Sequence, residues 1–501
     1  MRKHASNLGL DRGLLLISAV VVIGAIMSIL DTTIVNVALE TLSRDLHAGL
    51  GDVQWVATGY LLALAVVIPL TGWMSERFGA RRVWLTSVTL FVAGSVLCGL
   101  AWDLPSLIAF RVLQGLGGGM VMPVGMIVLT QAAGPQRVGR VMSIVGVPML
   151  LGPVIGPVLG GLIVDHLSWR WIFFVNVPIG ALALVMGMRW LPKVNASEHP
   201  GRLDWRGLAL LSPGLGLAVF GLSETSTNGG LTAIQAWLPL VAGIALIAAF
   251  AVHALHARRP LIDVRLFKVP AFSASAATVL LFATAFFGSM LLLPLFFQVA
   301  RGESALHAGL LTAPQGIGAA LTMPIAGALT DRIGGGRVAM AGIALAVLTT
   351  VPLALVQGST SLLLVEGVLF VRGIALGLSM MPSMAAAYAT LDRAAVPRAT
   401  SALNVIQRVG GSIGTAVLAV VLSHQIVDHV PGAAAGGGLE AAGSIPPAAR
   451  ARLADPLAQA FGGAFWWAVA LTAIAIIPAG ILALTSRKQS DVPAGAAVAA
   501  D

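Results

Sequence analysis

Long stretches without a charged side chain dominate the hydropathy pattern of this chain. Long uncharged stretches lie at 53–75, 83–102, 112–136, 141–164, 304–330 and 338–365. A membrane-spanning helix needs about 20 apolar residues, and these stretches lack the alternation expected of barrel strands. Together with turn signals, the pattern predicts an all-α integral membrane fold. Its fourteen helices are expected near 14–38, 53–73, 83–101, 104–129, 140–163, 170–190, 206–223, 236–257, 272–296, 306–330, 338–357, 362–386, 400–423 and 461–486.

Basic residues are distributed unevenly between the two sides of this predicted bundle. Of 30 Lys and Arg residues, 22 fall on the side of the N-terminus, 5 on the other side and 3 inside helices. Cytoplasmic loops of membrane proteins carry an excess of Lys and Arg. We therefore predict a multi-pass protein of the cell (inner) membrane with both termini in the cytoplasm.

Composition excludes several function classes. The 501 residues are 57% hydrophobic and 10% charged, so the net charge of +9 reflects loop bias and predicts no nucleic-acid partner. The single cysteine, Cys98, excludes a disulfide framework, and no metal site is predicted. No lysine follows a glycine, so the Gly-Lys-Ser/Thr loop of ATP-hydrolysing pumps is absent from the sequence. An enzyme is not expected.

An internal repeat indicates two related halves. IPLTGWMSERFGARRV (68–83) aligns without gaps with MPIAGALTDRIGGGRV (323–338), an offset of 255 residues. Parallel repeats of this kind are typical of transporters. The predicted organisation is a six-helix bundle at 1–200, two inserted linker helices at 201–260, a second six-helix bundle at 261–490 with a long outer loop at 424–460, and a disordered tail at 491–501.

Two opposite charges lie inside predicted spans. A charge at mid-membrane costs about 2.5–3.5 kcal/mol on insertion scales, so it marks a partner, a cavity or an ion path. Asp31 lies about 10 Å below the outer end of the first helix, and Arg111 lies at about the same depth in the fourth. Equal depth permits contact, and an acid in this setting could carry protons. A static structural pair is the alternative.

A glycine-proline segment offers a second motif. Gly152, Gly156 and Gly160 recur every four residues and share one helix face, a pattern that permits close helix approach. Pro153 and Pro157 each remove a backbone donor and favour a bend. The segment is consistent with a pivot between two halves, or with helix packing alone.

Six segments carry a family resemblance: LDTTIVNVAL (30–39), GWMSERFGARR (72–82), RVLQGLGGG (111–119), GPVIGPVLGG (152–161), WRWIFFVNVPIG (169–180) and RATSALNVIQRVGGSIGTA (398–416). The chain resembles the major facilitator superfamily, in its fourteen-span drug:proton antiporter branch. That resemblance implies an exporter with a cytoplasmic charge latch, whose residues here are Gly72, Glu76, Arg77, Gly79, Arg81, Asp331 and Arg332. The chain departs from the family pattern at Glu76, where Asp is usual, and at Ala80, where a basic residue is usual.

Weaker candidates for a substrate cavity come from polar or soft side chains within spans. They are Glu366, Arg372, Asn404, Arg408, Met120 and Phe286. Polarisable methionines and aromatic rings suit varied apolar guests, although such residues also pack or face lipid.

The sequence therefore predicts a proton-coupled multidrug exporter, an antiporter that expels hydrophobic or cationic small molecules by alternating access. Export of one specific metabolite or natural product is the alternative, followed by proton-coupled import on the same fold. No cofactor is expected, with protons as the coupling ion. The expected partners are a small-molecule substrate and the lipid bilayer; an envelope adaptor protein is left open, and otherwise a monomer is expected.

Overall fold

The computed structural model describes residues 11–134, 137–193, 201–227, 234–391, 395–430 and 447–490, and every regular element in these ranges is helical. The α-helices are α1 Arg12–Asp45, α2 Leu50–Val53, α3 Trp55–Val67, α4 Leu70–Phe78, α5 Ala80–Gly99, α6 Leu104–Ala133, α7 Val138–His166, α8 Trp171–Phe174, α9 Asn176–Trp190, α10 Trp205–Thr227, α11 Ile234–His256, α12 Pro270–Leu295, α13 Ala305–Ile333, α14 Gly335–Ala354, α15 Leu362–Ala389, α16 Val396–His429 and α17 Pro447–Ser490. A 3₁₀ turn, Val264–Lys268, precedes α12, and a π-helical turn, Phe296–Ala300, follows it.

Polar side chains fix where several helices begin. The Asp11 carboxylate accepts a hydrogen bond from the Leu14 N–H at 2.8 Å, at the start of α1. Asp103 and Ser106 form a reciprocal capping box at the start of α6. Each cap satisfies a backbone donor that has no partner in the first turn.

Eleven helices in the described ranges are long and apolar enough to cross a membrane, or twelve if α3 and α4 are one bent span. The predicted all-helical membrane fold is confirmed. The helix predicted at 53–73 is broken, because α3 and α4 meet at 57° around Ile68 and Pro69. Pro69 has no N–H to continue the helical hydrogen bonds of α3.

Helix ends extend further than the hydropathy pattern predicts. α1 continues to Asp45, α16 continues to His429, and α17 begins at Pro447. The described parts of the predicted outer loop 424–460 are therefore helical. Strong helix formers follow Pro447, in the sequence AARARL at 448–453. The rest of that loop, 431–446, and the tail at 491–501 lie outside the described residues.

The internal repeat has one backbone conformation in both copies. Gly79 has φ 86° and ψ 132°, and Gly334 has φ 89° and ψ 138°. Each glycine ends one helix and starts the next, in a left-handed region that favours residues without a Cβ. The two copies of the sequence repeat thus have the same helix–glycine–helix junction. Both junctions lie on the inner side, which is the side predicted to face the cytoplasm.

The inserted helices α10 and α11 pack tightly on each other and lie against both halves. A Cβ on Gly243 would approach the Ala218 nitrogen to 2.5 Å, so the two backbones are nearly in contact. Ser212 donates a hydrogen bond of 2.7 Å to the Val66 carbonyl oxygen of the first half. α10 also contacts α16 of the second half.

The two halves are in close contact at their inner ends. A Cβ on Gly72 would lie 3.1 Å from the Pro397 carbonyl oxygen, and one on Gly327 would lie 2.8 Å from the Arg140 Cα. Near the outer end of α7, a Cβ on Gly161 would meet no atom within 4 Å. This conformation is closed on the inner side.

Candidate transport site

Asp31 lies at the centre of a buried polar cluster in the first half. Its Oδ2 atom is 2.7 Å from Nη1 of Arg111, and both side chains are at most 1% exposed. Gln114 Nε2 and Asn176 Nδ2 donate to Asp31 Oδ1 at 2.8 and 3.0 Å. The structure therefore brings together the two charges that the sequence placed at equal depth. Three hydrogen-bond donors, from Arg111, Gln114 and Asn176, surround the carboxylate.

Arg111 is held by more than its ion pair. Its Nε donates to the Val56 carbonyl oxygen at 3.1 Å, and its Nη1 also donates to Gln114 Oε1 at 2.8 Å. The guanidinium lies over the Tyr60 ring, 4.0 Å from the centroid, a cation–π contact. Movement of Arg111 would thus disturb α3 as well as α1 and α6.

The amides of this cluster were missed by the sequence reasoning. Gln114 lies one turn after Arg111, and close approach of α5 fixes it, since a Cβ on Gly94 would be 2.7 Å from the Gln114 Cα. Asn176 also donates to Ser95 Oγ at 3.0 Å. Uncharged polar residues give a weak signal in an apolar span, although both amides lie within the quoted family segments.

The glycine face of α7 packs against α1 on both sides of Asp31. A Cβ on Gly152 would overlap Ile29, and one on Gly156 would overlap Thr33. A Cβ on Gly160 would lie 3.2 Å from the Ile34 carbonyl oxygen. The predicted close helix approach therefore occurs within the first half. Pro153 and Pro157 are part of α7, and the placement of their side chains lies outside the described part of the chain.

Glu76 forms an inner ion pair with the opposite half. Arg398 Nε and Nη2 donate to its two carboxylate oxygens, each at 3.0 Å. Of the arginines predicted for the latch, Arg77 is exposed, and Arg81 donates to the Met188 carbonyl oxygen. The acid of the repeated segment is thus paired with an arginine from across the interface.

Asp331 forms the matching contact in the other direction. Its Oδ1 accepts from the Gly139 N–H at 3.0 Å, and its Oδ2 lies 3.5 Å from Nε of Arg140, both at the start of α7. Asp331 lies just after the predicted span 306–330. Burial raises the pKa of its carboxyl group to about 6, although the hydrogen bond from Gly139 and the charge of Arg140 act in the opposite direction. Arg332 is exposed.

Arg372 is the centre of a related cluster in the second half. Its Nη1 donates to Gln315 Oε1 at 2.6 Å, and its Nε donates to Thr350 Oγ1 at 3.3 Å. Gln315 and Thr350 follow Tyr60 and Ser95 by 255 residues, the offset of the sequence repeat. Arg372 is 3% exposed and has no ion pair with a described acid. The second half therefore has the arginine without the carboxylate.

The remaining candidates are distributed over four helices, α6, α12, α15 and α16. Phe286 borders a small apolar chamber at the half interface, with Gly146, Phe282, Met323, Leu376, Met380 and Met381. Met120 is buried in the core of the first half, and Glu366 is half-buried in α15. Asn404 is buried and donates to the Thr400 carbonyl oxygen at 2.9 Å, whereas Arg408, one turn further, is exposed.

A comparison against protein families gives a match over most of the chain. The model described as Major Facilitator Superfamily matches residues 21–415. The chain belongs to that superfamily. The predicted family is thereby confirmed, while the fourteen-span branch stays a prediction.

Relatives within the superfamily include named exporters. The "Multidrug resistance protein B homolog" of Mycobacterium tuberculosis is 41% identical over 492 residues, covering 94% of this chain and 91% of that protein. The "Tetracenomycin C resistance and export protein" of Streptomyces glaucescens is 29% identical over 500 residues, with the same coverage of both chains.

Solved structures show the same fold. The human organic anion transporter MFSD10 superposes with a TM-score of 0.58 at 16% identity, covering 92% of this chain and all of that one. A bacterial homologue of the lysosomal transporter Spinster gives a TM-score of 0.54 at 15% identity, covering 96% and 98%. At these identities the likeness concerns the fold alone.

Proposed function

We propose that this protein is a proton-coupled multidrug exporter, an antiporter that expels hydrophobic or cationic small molecules by alternating access. Kinship to a multidrug resistance protein and to an antibiotic export protein supports the direction and the substrate type. Fourteen spans follow if α7 and α13 join the twelve, since each has 29 residues and a span needs about 20. Loop charge supports cytoplasmic termini in a cell-membrane protein.

One observation carries the mechanism: α7 contacts both the buried acid's helix and the inner latch. At its inner end, Gly139 and Arg140 hold Asp331 of the second half. Along its outer part, Gly152 and Gly156 fit against α1 on either side of Asp31. A displacement of α1 can therefore reach the latch through one helix, α7.

Proton coupling uses this connection. When Asp31 takes up a proton, its attraction for Arg111 falls and the ion pair between α1 and α6 weakens. The two helices can then shift. α7 moves with α1 because its glycine face is closely packed against α1. The inner latch opens, substrate enters from the cytoplasm, and release of the proton restores the pair. No cofactor beyond the proton is needed; an adaptor partner and the oligomeric state stay predictions.

Everted membrane vesicles test the proposal. Respiration acidifies their interior, and a pH-sensitive dye such as acridine orange reports the gradient. Adding ethidium should discharge the gradient in vesicles that contain the protein and leave control vesicles unchanged. Ethidium accumulation that persists after the protonmotive force is collapsed would contradict proton coupling. If a panel of dyes, antiseptics and antibiotics shows transport of one natural product and of no dye, the result would favour an exporter of one specific compound.

A further inference from the structure

A crevice separates the two halves beside the inserted helix α10. It is bordered by α3, α10 and α16. Its walls include Leu61 and Leu62 from α3, Val219 and Phe220 from α10, and Ser412 and Thr415 from α16. The crevice is distinct from the Phe286 chamber and from the Asp31 cluster.

Arg408 lies on α16 one turn to the inner side of Ser412, which borders the crevice. It precedes Ser412 by four residues and Thr415 by seven, so all three share one face of α16. Arg408 is exposed although it lies about 18 Å along α16 from Val396, near mid-membrane.

The charge of Arg408 is not balanced by an acid in the described structure. None of the ion pairs among the described residues includes Arg408. Every residue that borders the crevice is uncharged, and Thr58, Ser412 and Thr415 add hydroxyl groups. A charged side chain within a membrane protein faces a cavity or marks a ligand path. One cation therefore lies next to this crevice on the same face of α16, and the crevice walls are largely apolar.

We propose that this crevice binds amphipathic organic anions, with a carboxylate or phenolate at the Arg408 guanidinium and an apolar body between α3, α10 and α16. The inference rests on the proposed export function and adds a substrate class to it. A planar guanidinium pairs well with a carboxylate through two parallel hydrogen bonds. The aromatic ring of Phe220 and the leucines of α3 then cover the apolar body.

The test is equilibrium binding of a fluorescent carboxylate, 11-(dansylamino)undecanoate, to the full chain in phosphatidylcholine nanodiscs. Its uncharged methyl ester and the cation ethidium are the matched ligands. We expect the carboxylate to bind at least tenfold more tightly than the ester. Arg408→Gln should remove this preference, and Arg408→Lys should keep part of it. The control Arg206→Gln, at the exposed inner end of α10, should change nothing.

Equal affinity for the acid and the ester in the wild type would overturn the proposal, as would an unchanged preference in Arg408→Gln. If Arg408→Gln does not fold, Thr415→Trp fills the crevice while keeping the charge, and it should weaken carboxylate binding at least tenfold. Displacement of the probe by phosphatidylglycerol in the nanodisc, but not by free dodecanoate, would make an anionic lipid the occupant and overturn the assignment. Binding needs no gradient, so its failure is separate from a failure of proton coupling.

Discussion

Arg398 of the second half donates two hydrogen bonds, each 3.0 Å long, to the two carboxylate oxygens of Glu76 in the first half. Asp331 and Arg140 make the reciprocal contact, from the second half to the first. The repeated segment thus supplies one acid to each of two inner ion pairs. Both pairs must break before the inner side can open.

The Glu76 pair should control how often the inner side opens. Hydrogen bonds to charged groups contribute about 1.5–3 kcal/mol when partly buried, so Glu76→Gln should shift the equilibrium toward the inner-open state by roughly 10- to 150-fold. Spin labels at Arg82→Cys and Arg337→Cys, exposed positions in opposite halves, would report the change as a longer distance in a Cys98→Ser background. The swap Glu76→Arg with Arg398→Glu should restore the short distance. An unchanged distance distribution in Glu76→Gln would count against the latch.

Asp331 should make latch closure pH-dependent. Burial holds its pKa at about 6, above the value of 3.8 expected in water. By linkage, the state with the higher pKa gains stability as pH falls. The population of the closed latch should therefore rise as the pH is lowered from 7.5 to 5. This gain should be lost again as the pH rises through about 6. The same spin labels in an Asp31→Asn background would measure the closed population as a function of pH. Asp331→Asn should remove this pH dependence. Opening on acidification would have the wrong sign.

The fit between α7 and α1 should tolerate no added volume beside Asp31. Gly156→Ala places a methyl group on Thr33. Overpacking of this kind costs about 1–3 kcal/mol, so the melting temperature in detergent should fall and drug-induced proton release should decrease. Gly161→Ala is the matched control on the same helix, since its methyl group meets no atom within 4 Å. Equal effects of the two substitutions would contradict a specific role for the contact.

Arg111 should be needed mainly while Asp31 is charged. Removing one partner of a buried pair leaves an uncompensated charge and costs about 3–5 kcal/mol. Arg111→Gln should therefore lower the free energy of unfolding by about that amount, whereas Arg111→Gln combined with Asp31→Asn should lose much less. Denaturant unfolding in detergent measures the cycle. Additive losses would mean that the two side chains are not coupled.

Charge and hydropathy allowed most of the helices and the Asp31–Arg111 contact to be predicted, because a mid-membrane charge is costly and needs a partner. Gln114 and Asn176 were not found, since a neutral amide carries no such penalty. The latch partners Arg140 and Arg398 could not be chosen among many inner arginines without knowing how the halves dock. The bend at Pro69 depends on a single proline whose hydropathy is ordinary.

The central claim is that Asp31 couples proton movement to substrate movement, and a comparison of two transport modes in proteoliposomes tests it most directly. Substrate counterflow needs no proton gradient, whereas uptake against a substrate gradient does. The account predicts that the rate of ethidium counterflow in Asp31→Asn stays within about threefold of the wild-type rate. The rate of gradient-driven uptake should fall more than about tenfold. Gradient-driven uptake at the wild-type rate in Asp31→Asn would contradict the account.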